Sequence, residues 1–296
     1  MTVQIIDTLA GQRAALETGS LDLFRSRVME PIAPFWQTML SRRPVGEGTT
    51  DPALEVASAW GFYSPLDDRE AGLEAIAAFE AAGTAQQCAD AVQQGFDALD
   101  PGRHGFEVDL QFAFLLGHLR VLKRDYGAYT GAHTPTFAMV TGWPDPVGTP
   151  RLPVAAAHEL NHVVRFTYEP WTPDTTVGQY MVAEGLAEAF GVEVLGDPGL
   201  VGPYSAALSP EQLAAVKPRF RDALDLSGFP VLQGYIFGDW AAEQFGYPKQ
   251  GLPDYAGYSL GYQVVRAYLN NTGRSAAEAT YVPWREIVEQ SGYFEG

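Results

Sequence analysis

Two histidines, His158 and His162, stand four residues apart, and a glutamate, Glu159, follows the first directly. On a helix, residues four apart lie one above the other on one face. Both imidazoles can then reach one Zn²⁺, for which histidine nitrogen is a common ligand. Glu159 is rotated by about 100° from His158, so its carboxylate falls beside the metal and not on it. A base in that place takes the proton of a metal-activated water. The spacing H-E-x-x-H therefore points to hydrolysis at a site holding one zinc per chain.

A catalytic zinc needs three protein ligands and an open position for water. The chain has a single cysteine, Cys88, which excludes an internal disulfide and a cysteine-rich zinc site. His162 is followed by Val163, Val164, Arg165, Phe166, Thr167 and Tyr168, with no third histidine at short spacing. A carboxylate from another element is the expected third ligand. The spacing predicts a helix over residues 175–195 that carries Glu184-Gly185-Leu186-Ala187-Glu188. Glu184 and Glu188 share one of its faces. Glu184 is expected on the metal, and Glu188 on a ligating histidine as a hydrogen-bond partner. The competing reading is a pair of solvated glutamates, and Glu193 is expected to be solvated. Gly178, Gly185 and Gly191 each cost such a helix about 1 kcal/mol. Close approach of a neighbour, with the histidine helix as the first candidate, would explain them.

The elements that must position these groups read as a mainly helical α+β fold. Thr149-Pro150 is expected to cap and open the histidine helix, which nothing breaks from Val154 to Phe166. Upstream, Phe106, Val108, Leu110, Phe112 and Phe114 alternate with polar or small residues, the period of a half-buried strand. Thr136 to Thr141 reads as a second strand, and the two are expected to form a small sheet on the histidine helix. The strand near Phe137 and Val140 is the candidate to align an extended peptide by edge pairing. The first hundred residues read as a helical N-terminal region (1–100), and 101–296 as the catalytic domain. Ser20 is a cap, Pro31 and Pro34 divide the first apolar stripe, and Ser64-Pro65 opens a further helix. Residues 41–52 read as a loop. Near the C-terminus Asp254 is expected to cap a helix with Tyr255, Tyr258 and Tyr262 on one face. Tyr258, and after it Tyr262, are candidates to donate a hydrogen bond to the oxyanion of an attacked carbonyl. The alternative for both is an aromatic core stripe.

The chain resembles the bacterial YjaZ-like predicted zinc-dependent proteases, zincins with a glutamate as third ligand. The resemblance rests on residues 154–165 around the histidines and on Glu184-Gly185-Leu186-Ala187-Glu188. It continues in Ile236-Phe237-Gly238-Asp239 and in residues 251–262, and covers roughly residues 105–296. It implies a zincin-like metallopeptidase domain in which His158, His162 and Glu184 bind zinc and Glu159 is the base. Where better-known relatives have Asn-Glu at the third-ligand motif, this chain has Ala183-Glu184.

Composition narrows the partners. The chain has 296 residues, is 46% hydrophobic and 19% charged, and carries a net charge of −17. A substantial core is expected, and general disorder is not. The acidic balance speaks against nucleic acid or an anionic membrane as partner and leaves a peptide or protein substrate. No basic n-region with a long apolar stretch opens the sequence, and no apolar run is long enough to span a bilayer, so the cytoplasm is the expected location. Among the other histidines, His118 and His133 lie near expected strands and could face a cleft. Two rival functions remain: a zinc-bound regulatory or interaction domain without proteolysis, and a structural zinc closed by a fourth ligand such as His133. An intact Glu159 argues against the first, because a non-catalytic site needs no base.

Overall fold

A computed structural model of the chain describes residues 2–42, 51–244 and 246–295. The fold is mainly helical α+β, with a four-stranded sheet among the described residues. It divides into two compact units, residues 1–97 with 107–163 and residues 98–106 with 164–296. These units cut across the expected boundary near residue 100, because the N-terminal helices share a unit with the sheet. Most of the loop expected at 41–52 lies outside the described residues.

The first unit is built on strands β1 (Thr2–Ile6), β2 (Asp109–Leu116), β3 (Tyr129–Thr134) and β4 (Phe137–Gly142). Their order is β1-β2-β4-β3; β1 and β4 run parallel to β2, and β3 runs antiparallel to β4. The region expected to be mainly helical thus also supplies an edge strand. Only the first residues of β2 alternate in burial, and from Phe112 onward every residue is buried. A strand paired on both sides and covered on both faces has no solvent face, so the expected half-buried strand becomes a central one. The strand assigned to edge pairing, β4, is also interior; the edge beside it is β3.

Helices α1 (Thr8–Thr18), α2 (Leu21–Phe24), α3 (Ala33–Arg42) and α4 (Pro52–Trp60) lie in the N-terminal part. Ser20 caps α2 through the Leu23 N–H, as expected. The stripe is divided by a π-helical turn at Arg25–Met29 ahead of Pro31. On one sheet face, Ala113, Leu115, Phe137 and Met139 pack with Phe24, Ile32, Phe35 and Phe62. Burial of each large side chain stabilises the unit by about 1.5–3 kcal/mol. Helices α5 (Arg69–Ala82) and α6 (Thr84–Leu99) follow. Helix α5 is capped by Asp68, not opened at Ser64-Pro65; the Ser64 hydroxyl instead accepts from Leu66 N–H in a turn. The opposite sheet face meets α5 through Phe79 and Phe114, whose rings are 5.0 Å apart. It also meets α7 (Leu152–Tyr168), since a Cβ on Gly142 would lie 2.9 Å from Leu152. Thr149 does not cap α7. It begins a 3-10 turn, Thr149–Arg151, and its hydroxyl accepts from the Asp145 N–H.

The second unit is organised on α8 (Val177–Leu195), which is buried on all sides along most of its length. Around it come α9 (Pro210–Ala223), α10 (Phe229–Phe237), α11 (Asp239–Gln244), α12 (Ala256–Thr272), α13 (Ala276–Ala279) and α14 (Trp284–Ser291). Two of the three glycines of α8, Gly178 and Gly185, do signal close approach. The neighbour at Gly185 is α12: a Cβ there would lie 2.2 Å from Gly261 O, and one on Gly261 would lie 2.1 Å from Met181 O. At Gly178 the neighbour is the Trp284 ring of α14. Because these two backbones touch, no side-chain shift can relieve a larger residue at the crossing. Gly185→Val is therefore expected to destabilise the protein by about 1–3 kcal/mol or more, read as a fall in Tm of several degrees in thermal unfolding. An unchanged Tm would show that the helices separate freely.

Other expected roles change in this unit. Glu193 is exposed, as expected, but it is also engaged, accepting from the Ala276 N–H at 2.8 Å at the start of α13. Asp254 does not cap α12. Tyr255 holds the N-cap position in a left-handed conformation (φ 58°), tied to Phe237 O through its N–H at 3.1 Å. Arg165, in the histidine motif, is fully buried and donates to Thr280 O (2.7 Å) and Val282 O (2.6 Å) while pairing with Glu169. It fastens α7 to the C-terminal segment. Asp239 is likewise structural, accepting from the Gln250 (2.7 Å) and Gly251 (3.0 Å) N–H groups.

Candidate metal centre

Helix α7 sets the histidines as their spacing requires. His158 Nε2 and His162 Nε2 converge to 3.0 Å, with the rings 4.7 Å apart and nearly perpendicular. Two nitrogens about 2.0–2.1 Å from one tetrahedral zinc stand about 3.3 Å apart, so the pair already has close to the separation a shared ion needs. Both side chains are buried. Small residues, Ala155, Ala156 and Ala157, precede the motif, while Leu160, Val163 and Val164 anchor the helix in the core.

Glu159 is 7% exposed and points toward β3. His133 Nδ1 lies 2.9 Å from Glu159 Oε2, and the His133 ring lies 4.7 Å from that of His162. Burial pushes the Glu159 carboxyl up. The hydrogen bond with His133 and the electrostatic influence of His133, His158 and His162 together outweigh this, and hold it below the usual carboxylate range. An ionised Glu159 accepts only, so His133 Nδ1 carries the proton of this bond. His133, Glu159 and His162 each present a donor atom within 4.8 Å of the others. His133 is the residue the spacing left undecided. Its signal is the pair Gly131 and His133, two apart on a strand and so on one face.

The remaining expected residues lie in the second unit. Glu184 and Glu188 are both buried on α8. Glu188 is engaged by the chain itself: the Gly202 N–H donates to its Oε1 at 2.5 Å. Tyr258 and Tyr262 flank Gly261 on α12, the residue that touches α8. Tyr258 is half-buried among Tyr204, Tyr255 and Phe237, with ring centroids 5.6–6.0 Å away. Tyr262 is buried, with its hydroxyl pKa pushed up chiefly by burial and opposed by Arg266. Thus α7 brings His158, Glu159 and His162 together, while Glu184, Tyr258 and Tyr262 lie on α8 and α12, whose backbones meet at Gly185 and Gly261.

A family model described as predicted Zn-dependent protease (DUF2268) matches residues 97–289, which include every residue of this constellation. The chain belongs to this family. That membership agrees with the resemblance seen in the histidine and Glu184 motifs and supports a zinc-dependent peptidase, a hydrolase. The chain is also 28% identical over 277 residues to the uncharacterized protein YjfC of Bacillus subtilis (strain 168), covering 92% of this chain and 91% of that one. No solved structure matches significantly. No helix among the described residues is long and apolar enough to cross a membrane.

Proposed function

We propose that the chain is a monozinc metallopeptidase acting on peptide or protein substrates, with zinc held by His158, His162 and Glu184. The observation that carries this reading is the convergence of the two buried Nε2 atoms beside the buried Glu159 carboxyl. Two imidazoles and a carboxylate form a donor set suited to catalytic zinc. When bound, the ion polarises the scissile carbonyl and makes water acidic enough to attack near neutral pH.

The chain's own groups supply the rest. Glu159 accepts the proton of the attacking water and returns it to the departing amine. A tyrosine hydroxyl of α12, Tyr258 first and Tyr262 second, donates to the oxyanion that develops on the attacked carbonyl. The edge strand that carries His133 beside Glu159 is β3, so an extended peptide aligned by strand pairing would lie along β3. Glu188 supports a ligating histidine in addition to holding Gly202.

Metal analysis after zinc supplementation, together with mass-spectrometric profiling of a peptide library, tests the reading. About one zinc per chain and discrete cleavages are expected, both lost in His158→Ala and His162→Ala. Zinc without cleavage would favour a regulatory domain instead. For the oxyanion donor, Tyr258→Phe is expected to lower kcat by about 10²–10³-fold with KM and zinc content unchanged. Tyr262→Phe is expected to cost less. Unchanged kcat in Tyr258→Phe alone moves the role to Tyr262, and unchanged kcat in both returns the tyrosines to the core.

A further inference from the structure

We infer that the inner face of β3 is built to orient the Glu159 carboxylate, and that His133 is the positioning residue that does so. The inference rests on the metallopeptidase reading above and adds a residue to it. Two features of one strand meet on this single carboxylate. His133 bonds Oε2, and Gly131, two residues before it on the same face, leaves the space that Oε1 occupies. A Cβ on Gly131 would lie 2.2 Å from Oε1 and 2.6 Å from the carboxyl carbon. Neither feature is needed by the sheet. In the sheet, Gly131 and His133 simply stand opposite Val140 and Ala138, positions that many other residues could fill. The opposite face of β3 supplies the apolar contact, through Ala132 on the core cluster.

The 2.9 Å contact between His133 Nδ1 and Glu159 Oε2 fixes one carboxylate oxygen and the plane of the group. Oε1 is then the oxygen presented for proton transfer. A freely turning carboxylate would spend part of its time with neither oxygen aligned, and loss of alignment lowers kcat before it lowers binding. The arrangement resembles the partner bonds that hold metal-ligating histidines, whose loss commonly costs about 10–100-fold. Here the oriented group is the base and not a ligand.

The test separates positioning from ligation. His133→Ala is expected to lower kcat by about 10–100-fold, with KM unchanged and with zinc affinity, read by competition against a chromophoric chelator, unchanged. In His133→Asn the amide nitrogen falls near the Nδ1 position and is expected to restore most of kcat. In His133→Gln it falls near Nε2 and is expected not to. Nitrogen-15 spectra of the imidazoles, recorded without and with zinc, read the bond independently of turnover. A protonated Nδ1 on His133 is expected in both states, shifted in Glu159→Ala. Should the wild-type protein cleave no peptide, the functional reading fails while these spectra still decide the His133 pair. A metal-bound nitrogen on His133 in the zinc-loaded protein, or zinc affinity lost in His133→Ala, overturns the inference in favour of a fourth ligand. Better rescue by Gln than by Asn, or unchanged kcat in His133→Ala, overturns it as well.

Discussion

Glu159→Gln is expected to keep about one zinc per chain while losing about 10²–10⁴-fold in kcat, the usual share of a general base. The variant preserves the size and polarity of the side chain. The amide oxygen can still accept from His133 Nδ1, so the local packing against Gly131 is retained. What disappears is basicity, because an amide oxygen does not take a proton near neutral pH. The prediction is sharpened by the surroundings of Glu159. Burial alone would favour the protonated acid, yet the His133 hydrogen bond and the neighbouring histidines keep it ionised. The group is thus ready to accept a proton when the reaction begins. Metal analysis and single-turnover kinetics on one cleaved peptide decide the point. Turnover at the wild-type rate removes Glu159 from the mechanism, and loss of zinc would make it a ligand.

Helical spacing carried the larger part of the candidate site. The i, i+4 histidines, the neighbouring glutamate and the second carboxylate pair lie on long helices, where a 3.6-residue repeat fixes which side chains share a face. The strands were legible only in part. β2 and β4 are apolar enough to be read, but β1 is short and half-exposed at Ile5 and so shows little pattern. β3 has no apolar alternation, because one of its faces is given to Gly131 and His133 beside Glu159. A strand that serves a polar group loses the hydrophobic period that would announce it.

The glycines of α8 show a different limit. Their cost to the helix signals a close neighbour, but nothing in a single sequence says which element that is. The answer lies in Gly261, on an element 76 positions later in the chain, whose carbonyl occupies the volume a side chain at Gly185 would need. Caps failed for a related reason. Asp254 and Thr149 are good capping residues, yet the chain turns into its helix one residue after the first and through a 3-10 turn after the second. Local propensity is worth about 1 kcal/mol at such positions, and tertiary packing overrides it.

Glu184→Ala is expected to abolish stable zinc binding, and Glu188→Ala to weaken it by only about 10–100-fold. The two glutamates are one turn apart on the same buried face of α8, so sequence spacing does not choose between them. Their surroundings do. Glu188 already receives the Gly202 N–H at 2.5 Å, which commits one of its oxygens to holding the loop after α8. Glu184 precedes Gly185, where α12 comes into backbone contact and brings the candidate tyrosines with it. Removing one of three ligands takes away a charged donor that water replaces poorly. Removing a supporting carboxylate leaves the first coordination sphere complete. The Glu188 variant carries a second cost, since the Gly202 amide loses its acceptor, a penalty of about 1–3 kcal/mol if it stays buried. Glu188→Gln keeps an oxygen for that amide and separates the two effects. It is expected to recover the thermal stability lost in Glu188→Ala. Zinc affinities by chelator competition, with circular dichroism to verify the fold, give the ranking. Zinc retained in Glu184→Ala and lost in Glu188→Ala would reverse the assignment and put the metal one turn farther along α8.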